Sequence, residues 1–269
     1  MTHRTRFAPA PTGYLHLGHV LNALEVWDFA VTSGARVILR VEDHDRQRSR
    51  LEFERAMRED LDWLGFVPHE EVPRQSERDD VYRAVLDSFI ARGLVYGCAC
   101  TRHEIAAADD EASGGRERRY PGTCRDRGLG LADGFGWRVR MDRGEETFTD
   151  ESCGLQVQDP SQQCGDLLVR DRLGNWTYQW AATIDDYLQG ITHVIRGVDL
   201  LPSTGRQIRL ARLAGRTEPA RFRHHPLIMK TPDQKLSKSD RDTGVRDLRA
   251  AGWTRGDVLA AARAAQSAC

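Results

Sequence analysis

The strongest structural signal in the sequence is Pro9-Ala10-Pro11-Thr12-Gly13-Tyr14-Leu15-His16-Leu17-Gly18-His19, near the start of the 269-residue chain. Two prolines, a threonine and a glycine break the chain here, and an amphipathic helical pattern follows. His16 and His19 are three residues apart at the start of that helix, so their side chains share a face. Free backbone amides at a helix start favour an anion. The motif therefore predicts an anion-binding helix start, with a phosphate as the natural ligand.

A second candidate phosphate motif, Lys235-Leu236-Ser237-Lys238-Ser239, lies far along the chain. It contains two of the only three lysines, the third being Lys230, in a chain with 39 basic residues. A lysine ammonium is compact and mobile, so it suits a developing phosphate charge better than a rigid guanidinium does. Taken alone, the segment fits an exposed polar loop equally well. The distant histidine motif favours the phosphate interpretation.

The segments between the motifs predict an α/β fold. A helix, a turn and then a buried strand at residues 36–41 are typical of a parallel, doubly wound sheet, and residues 191–195 give a second buried strand. Ligands of such sheets lie beyond the carboxyl ends of the strands. Glu42 and Asp43 follow the first strand and Arg196 follows the second, so we expect these side chains at one edge. Amphipathic helices are predicted at residues 49–64, 77–92, 181–188 and 203–213.

Composition limits the class of protein. The chain is 40% apolar and has a formal net charge of −1, which allows a substantial core and gives no overall signature of nucleic-acid binding. No run approaches membrane-spanning length, and the N-terminus does not read as a signal peptide. A cytoplasmic, monomeric protein is expected. Three arginines recur at intervals of three and form either an RNA-facing stripe or, as we prefer, a solvated helix face: Arg206, Arg209 and Arg212.

The cysteines indicate a metal site. In a cytosolic protein, clustered cysteines are more often metal ligands or reduced thiols than disulfides. Cys98, Cys100 and Cys124 would make a tetrahedral zinc site that lacks one ligand. His103 is the conventional fourth ligand chemically. The remaining cysteines are interpreted as unliganded: Cys153, Cys164 and Cys269.

The two phosphate motifs resemble the signature motifs of class I aminoacyl-tRNA synthetases. Residues 6–13 and 40–43, reading Arg-Phe-Ala-Pro-Ala-Pro-Thr-Gly and Arg-Val-Glu-Asp, resemble the glutamyl branch of that family. The resemblance extends from about residue 4 to about residue 240. It is strongest to the short glutamyl-queuosine tRNA(Asp) synthetases, and it implies a Rossmann-like parallel core with an inserted zinc-containing subdomain.

The resemblance also implies substrates and roles. ATP with Mg²⁺ would activate L-glutamate, which would pass to queuosine in tRNA(Asp). The catalytic positions are His16, His19, Lys235 and Lys238, and the ATP-binding positions are His16, Gly18, His19 and Lys238. The glutamate-binding positions are Arg6, Ala8, Ala10, Glu42, Tyr178 and Arg196, with Glu42 as the acid for the α-ammonium group. The zinc ligands are Cys98, Cys100, Tyr120 and Cys124, so that Tyr120 replaces His103 as the fourth ligand.

The predicted organisation leaves no room for an anticodon-binding domain. Residues 1–97 and 166–240 form the two halves of the core, 98–165 the zinc subdomain and 241–269 a short helical segment. This length favours the queuosine enzymes over a full glutamyl-tRNA synthetase. A truncated glutamyl-tRNA synthetase and a catalytically idle tRNA-binding paralogue stay open as alternatives. The lysine motif together with Arg6, Tyr178 and Arg196 argues against a small-molecule nucleotidyltransferase. Two positions depart from the family pattern. Ala10 stands where the glutamyl branch has serine, and His19 stands where many short relatives have serine.

Overall fold

The computed structural model describes residues 2–108, 118–231, 234–235 and 243–266. Two short 3-10 helices lie at Gln75–Glu77 and Val198–Ser203. The strands are β1 (Arg4–Phe7), β2 (Arg36–Leu39), β3 (Glu70–Glu71), β4 (Val95–Cys98), β5 (Gly136–Val139), β6 (Glu146–Asp150), β7 (Gly154–Gln158), β8 (Leu167–Arg170), β9 (His193–Gly197), β10 (Arg221–His225), β11 (Met229–Thr231) and β12 (Gln234–Lys235). The α-helices are α1 (Leu17–Ser33), α2 (Leu51–Leu64), α3 (Asp79–Ala91), α4 (Arg102–Ala108), α5 (Pro160–Gln163), α6 (Tyr178–Leu188), α7 (Thr204–Leu213), α8 (Val245–Ala250) and α9 (Arg255–Gln266).

The predicted parallel α/β layer is confirmed, and it is built from two sheets. Strands β1, β2 and β3 pair in parallel. The second sheet has the order β7-β6-β10-β9, with β10 parallel to both β9 and β6, and with β7 antiparallel to β6. The two sheets meet where the Thr192 N–H donates to the Arg4 carbonyl oxygen at 2.9 Å. This junction brings the carboxyl ends of β1 and β9 together.

Two smaller sheets lie outside this layer. Strands β4, β5 and β8 form an antiparallel sheet, and β11 pairs with β12. The chain beyond the lysine motif returns to the histidine motif, because Gly244 forms a bridge with His16 and the Val245 N–H donates to the Leu15 carbonyl oxygen at 2.7 Å. The start of α8 therefore lies beside the start of α1.

The main core lies between the parallel layer and the helices α1, α2 and α9. Leu24 of α1, Val37 of β2, Leu61 of α2 and Val258 of α9 are among its buried members. Each such aliphatic side chain stabilises the fold by about 1.5–3 kcal/mol when fully buried. Helix α2 ends at Leu64 because the next residue is a glycine with a φ of 76°, a conformation that glycine adopts readily. Among the described helices, none is both long enough and apolar enough to cross a membrane.

Two of the three arginines of α7, Arg206 and Arg209, do not lie on the solvated face that the sequence predicts, whereas the side chain of Arg212 is 61% exposed. Arg206 is only 1% exposed, which also excludes it from an RNA-facing stripe. Arg209 and Arg212 both pair with the buried Glu146 of β6, at 2.8 and 2.7 Å. These arginines therefore join α7 to β6, because a carboxylate distant in sequence supplies their counter-charge.

Candidate functional site

A cleft of about 500 Å³ opens at the carboxyl ends of β1 and β9. This is the point where the two sheets meet, and open α/β sheets bind ligands at such a crevice. Its volume is typical of small-molecule sites. The cleft brings together nine of the residues predicted from sequence: Arg6, Ala8, Ala10, His16, Gly18, His19, Glu42, Tyr178 and Arg196.

The rings of the two histidines of the first motif are both oriented by backbone N–H groups at the start of α1. His16 is the N-cap residue, and its Nδ1 accepts from the Gly18 N–H at 3.1 Å. The Nδ1 of His19 accepts from the His16 N–H, also at 3.1 Å. A neutral imidazole whose Nδ1 is an acceptor carries its proton on Nε2. Both rings are therefore set as Nε2–H donors, which suits an anionic ligand at a helix start.

Replacing Gly18 with alanine should slow the ATP-dependent activation that the family resemblance implies, with little effect on stability. The added Cβ would lie 2.9 Å from Cε1 and 3.1 Å from Nδ1 of His16, so the ring must shift from its present position. A misplacement of about 1 Å can lower a rate about 100-fold, and a decrease of at least tenfold in ATP–pyrophosphate exchange is expected. Alanine is also the better helix former by about 1 kcal/mol, so the protein should still fold. Gly130→Ala is the matched control because an added Cβ meets no atom within 4 Å there. Equal exchange by the two variants would contradict the prediction.

The part of the cleft around Arg6 is organised around a buried carboxylate. Arg6 donates through Nε to Oδ1 of Asp186 at 3.0 Å and through Nη1 to the Ile195 carbonyl oxygen at 3.3 Å. Arg40 donates through Nη1 to the same Oδ1 at 2.8 Å. Burial acts to raise the pKa of Asp186, but the two guanidinium groups outweigh it and hold that pKa below its usual range. Asp186 therefore fixes Arg6, whose Nη2 has no hydrogen-bond partner among the described residues.

Only one carboxylate oxygen of Glu42 accepts hydrogen bonds from the described residues. Its Oε1 accepts from Nη2 of Arg40 at 2.8 Å and from Nε at 3.3 Å. Within the described part of the chain its Oε2 has no hydrogen-bond partner, and the side chain lines the cleft. A carboxylate oxygen held in this way can accept from an ammonium group.

Arg196 is held by three side chains that the sequence did not single out. Its Nε donates to Nε2 of His224 at 3.0 Å, its Nη1 to Oε1 of Gln207 at 2.7 Å and its Nη2 to Oγ1 of Thr204 at 2.9 Å. Nη2 also reaches the Leu200 carbonyl oxygen at 3.4 Å. A guanidinium has five N–H groups, and Tyr178, which also lines the cleft, is within hydrogen-bonding reach of Arg196 as well.

His224 connects Arg196 to Asp150, the last residue of β6. Nδ1 of His224 lies 2.6 Å from Oδ2 of Asp150, and both side chains are fully buried. Burial and the charge of Arg196 lower the pKa of His224 to about 4, although Asp150 acts in the opposite direction. The neutral ring donates through Nδ1 and accepts the Arg196 N–H at Nε2. Asp150 and His224 therefore position Arg196.

Tyr178, the first residue of α6, lies in the field of the charged groups around the cleft. Burial raises the pKa of Tyr178, and Glu42 and Asp186 raise it further, whereas Arg196 and Arg6 lower it. Its hydroxyl keeps its proton at neutral pH and can both donate and accept. The structure describes only part of the lysine motif. The backbone of Lys235 belongs to β12, and Lys238 lies outside the described residues.

The predicted metal site forms a compact cluster of thiols. The Sγ atoms of Cys98, Cys100 and Cys124 all lie within 4.8 Å of one another, and those of Cys100 and Cys124 are 3.5 Å apart. A tetrahedral zinc ion with Zn–S bonds of about 2.3 Å places its sulfurs about 3.8 Å apart. Burial acts to raise the pKa of Cys124, but a hydrogen bond from the Ala99 backbone and others from its neighbours lower it to about 7. The thiolate that a metal needs is therefore readily available.

Tyr120 is a better candidate than His103 for the fourth zinc ligand. Its phenol oxygen accepts from the Cys98 thiol at 3.4 Å and from the Cys124 N–H at 2.8 Å. His103, on the exposed side of α4, contributes no ring nitrogen to the thiol cluster. The donor set of three sulfurs and one phenol oxygen fits a structural zinc ion, which would cross-link β4 to the segment around Cys124.

Replacing Cys124 with serine should remove bound zinc from the purified protein. Serine is a much weaker zinc ligand than a thiolate, and Cys124 has the lowered pKa. We expect about one zinc per chain in the wild type and less than about a tenth of that in the variant, measured by elemental analysis after dialysis. Cys153→Ser is the matched control, because Cys153 is exposed and outside the cluster. Equal zinc in both variants would exclude the site.

Sequence reasoning missed the residues that support the site, because each acts through a partner distant in the chain. Two of them carried a local signal: Arg40 belongs to the motif at residues 40–43, and His44 follows Glu42 by two residues. The missed residues are Arg40, His44, Asp150, Asp186, Thr204, Gln207 and His224.

Comparison with known proteins gives a consistent family. The model of the family described as tRNA synthetases class I (E and Q), catalytic domain, matches residues 2–263. A glutamyl-Q tRNA(Asp) synthetase of Burkholderia cenocepacia is 40% identical over 270 residues, which cover 98% of this chain and 86% of that protein. The glutamyl-Q tRNA(Asp) synthetase of Rhodobacter capsulatus is 36% identical over 271 residues, covering 94% of this chain and 97% of that protein.

Solved structures agree with this match. A glutamate tRNA ligase from Elizabethkingia meningosepticum, crystallised in complex with its amino acid, superposes with a TM-score of 0.75 and 31% identity, covering 94% of this chain and 54% of its own. A glutamate-tRNA synthetase from Elizabethkingia anophelis superposes with a TM-score of 0.75 and 32% identity over the same shares. The chain spans about half the length of these two ligases. It belongs to the catalytic-domain family of class I tRNA synthetases for glutamate and glutamine, and it is a ligase of the glutamyl-Q tRNA(Asp) synthetase group.

Proposed function

We propose that the protein activates L-glutamate with ATP and transfers the glutamyl group to queuosine at the wobble position of tRNA(Asp). The observation that carries the first step is the single cleft, which holds complementary groups for both substrates. Imidazole N–H donors at the start of α1 stand at one part of the cleft. Guanidinium groups and an acid stand at another, from Arg6, Arg196 and Glu42. The relatives are named glutamyl-Q tRNA(Asp) synthetases, and these names support queuosine in tRNA(Asp) as the acceptor of the glutamyl group.

Activation needs the α-carboxylate of glutamate to attack the α-phosphate of ATP as pyrophosphate leaves. The Nε2–H groups of His16 and His19 would donate to phosphate oxygens as charge develops, and Lys235 and Lys238 would approach from the lysine motif. Mg²⁺ would arrive bound to the ATP phosphates. Arg6, Arg196 and Tyr178 would hold the side-chain carboxylate of glutamate, while Glu42 would accept from its ammonium group. The reaction then depends on positioning and electrostatics, with no covalent enzyme intermediate.

A second candidate function is charging of the tRNA 3′ end. It is favoured by the similarity to the two solved glutamate tRNA ligases, which extends over 94% of this chain. A catalytically idle tRNA-binding paralogue is a third possibility, and the complementary groups of the cleft argue against it. These three functions predict different products from the same reaction mixture.

The deciding experiment is glutamate transfer from radiolabelled L-glutamate to total tRNA, with and without queuosine. The labelled tRNA is then digested to locate the label. Label on the modified wobble nucleoside supports the proposal, whereas label on the 3′-terminal adenosine makes the protein a minimal glutamyl-tRNA synthetase. Tight tRNA binding with neither label nor ATP–pyrophosphate exchange would identify an idle paralogue.

A further inference from the structure

His44 lines the cleft, although neither phosphate motif includes it. It follows Glu42 by two residues on the chain that leaves β2, and alternate side chains of an extended chain point to the same side. Glu42 and His44 both line the cleft. Asp43, between them, turns away and accepts from the N–H and the hydroxyl of Ser76, at 2.8 and 2.6 Å. His44 therefore stands on the same wall of the cleft as the acid Glu42.

A buried carboxylate determines the orientation of the amide that holds His44. Asp185 accepts from Nε of Arg78 at 2.7 Å and from the hydroxyl of Tyr82 at 2.8 Å. A carboxylate paired with guanidinium groups is an acceptor only. The atom of Gln75 that lies 3.0 Å from Oδ2 of Asp185 must therefore be its amide nitrogen. The carbonyl oxygen of Gln75 then faces His44.

This orientation fixes the tautomer of His44. The Gln75 carbonyl oxygen lies 2.7 Å from Nδ1 of His44, so Nδ1 must carry a hydrogen. The neutral ring then has its lone pair on Nε2. Nε2 has no hydrogen-bond partner among the described residues, and the ring lies beside that of Tyr178, tilted by 45° with 6.1 Å between centroids. Because Gln75 is 1% exposed and Asp185 is fully buried, solvent does not compete for this arrangement.

We propose that Nε2 of His44 accepts a hydrogen bond from the α-ammonium group of the bound amino acid, beside the carboxylate of Glu42. This inference rests on the proposed function, which makes L-glutamate the ligand. An ammonium group has three donors, so a single carboxylate oxygen leaves two of them without a partner. A neutral imidazole satisfies one of these without adding negative charge near Glu42 and Asp186. The pair therefore selects for an amino acid over an acid that lacks the amine.

The test combines a protein variant with a ligand variant. His44→Phe keeps a ring against Tyr178 and removes the acceptor nitrogen. Glutarate has both carboxylates of glutamate and lacks its amino group. We expect His44→Phe to raise the KM for L-glutamate in ATP–pyrophosphate exchange about tenfold or more, as for loss of a hydrogen bond to a charged group. The KM for ATP and the inhibition constant of glutarate should stay within about twofold of the wild type.

Two further variants separate binding from structure. Gln75→Leu keeps the His44 ring but removes the carbonyl oxygen that holds the proton on Nδ1. The KM of this variant for L-glutamate should therefore lie between those of the wild type and His44→Phe. His3→Phe is the control, because His3 is an exposed histidine that does not line the cleft. A residue that only packs in the wall would not distinguish glutamate from glutarate.

Two outcomes would overturn the proposal. Equal weakening of glutamate and glutarate by His44→Phe would show that the residue only shapes the cleft. Normal exchange with loss of transfer to tRNA would assign His44 to the acceptor nucleoside instead. If the wild type shows no exchange with glutamate, the proposed function fails separately. Calorimetric binding of L-glutamate and glutarate to the wild type and to His44→Phe then decides the contact on its own.

Discussion

Replacing Asp186 with asparagine should lower the free energy of unfolding by about 3 kcal/mol and raise the KM for glutamate strongly. The carboxylate is buried between two guanidinium groups, with Nε of Arg6 at 3.0 Å and Nη1 of Arg40 at 2.8 Å. Removing one partner of a buried ion pair costs about 3–5 kcal/mol, because the remaining charge stays buried without compensation. We expect the lower end of that range, since Arg40 keeps Glu42 at 2.8 Å. The measurement is urea unfolding, with exchange kinetics on the folded variant.

The control for Asp186→Asn is Asp28→Asn. Asp28 pairs with Arg263 at 2.9 Å, and both side chains are more than half exposed, at 56% and 57%. Exposed pairs contribute about 0–1 kcal/mol, so this variant should unfold close to the wild type. Similar unfolding midpoints for the two variants would contradict our account of Asp186 as the anchor of Arg6.

Stability should fall as the pH drops from about 6.5 to about 4, and His224 should account for up to about 3 kcal/mol of the loss. The pKa of His224 is lowered to about 4 in the folded protein, mainly by burial and by Arg196. Over this range the unfolded chain binds a proton that the folded chain does not, so acid favours unfolding. Protonation would also remove the Nε2 lone pair that accepts from Arg196. The measurement is urea unfolding at several pH values.

His224→Phe is the variant that assigns this dependence. It should be less stable than the wild type at pH 7 by about 2 kcal/mol, because the Nε–H of Arg196 loses its acceptor. The gap between the two proteins should then narrow towards pH 4. Some dependence will remain, since burial also lowers the pKa of His193 and His225. A constant gap across the range would show that His224 does not titrate as described.

Local patterns were sufficient to predict the main elements of the fold. A helix expected at residues 49–64 is α2 at Leu51–Leu64, because its apolar spacing and the glycine that ends it are both local features. The strand expected at residues 36–41 is β2, which ends two residues earlier at Leu39. The boundaries of the four predicted domains, the monomeric state and the cytoplasmic location stay predictions.

The site was predictable only where motifs carry it. His16 could be selected from its helix-start motif, whereas Glu42 and Arg196 could be selected because they match positions of the family resemblance. The supporting residues could not, because their partners are remote: Arg6 and Asp186 are 180 residues apart, and Asp150 and His224 are 74 apart. The solvated position predicted for Arg209 was wrong for the same reason, since a helical sequence does not reveal that Glu146 will be buried beside α7.

The pairing of β6 with β10 bears on how this enzyme can be modified by recombination. Asp150 ends β6, inside the segment predicted as an insertion, and it supports Arg196 through His224. The segment that carries the cysteine cluster and the cleft at the carboxyl ends of β1 and β9 are therefore not separable modules. A chimera that exchanges residues 98–165 for those of a relative should stay active only if an acidic residue returns to position 150. The second graft junction would best lie before Asp150, so that the donor supplies the cysteine cluster and the host keeps its own carboxylate.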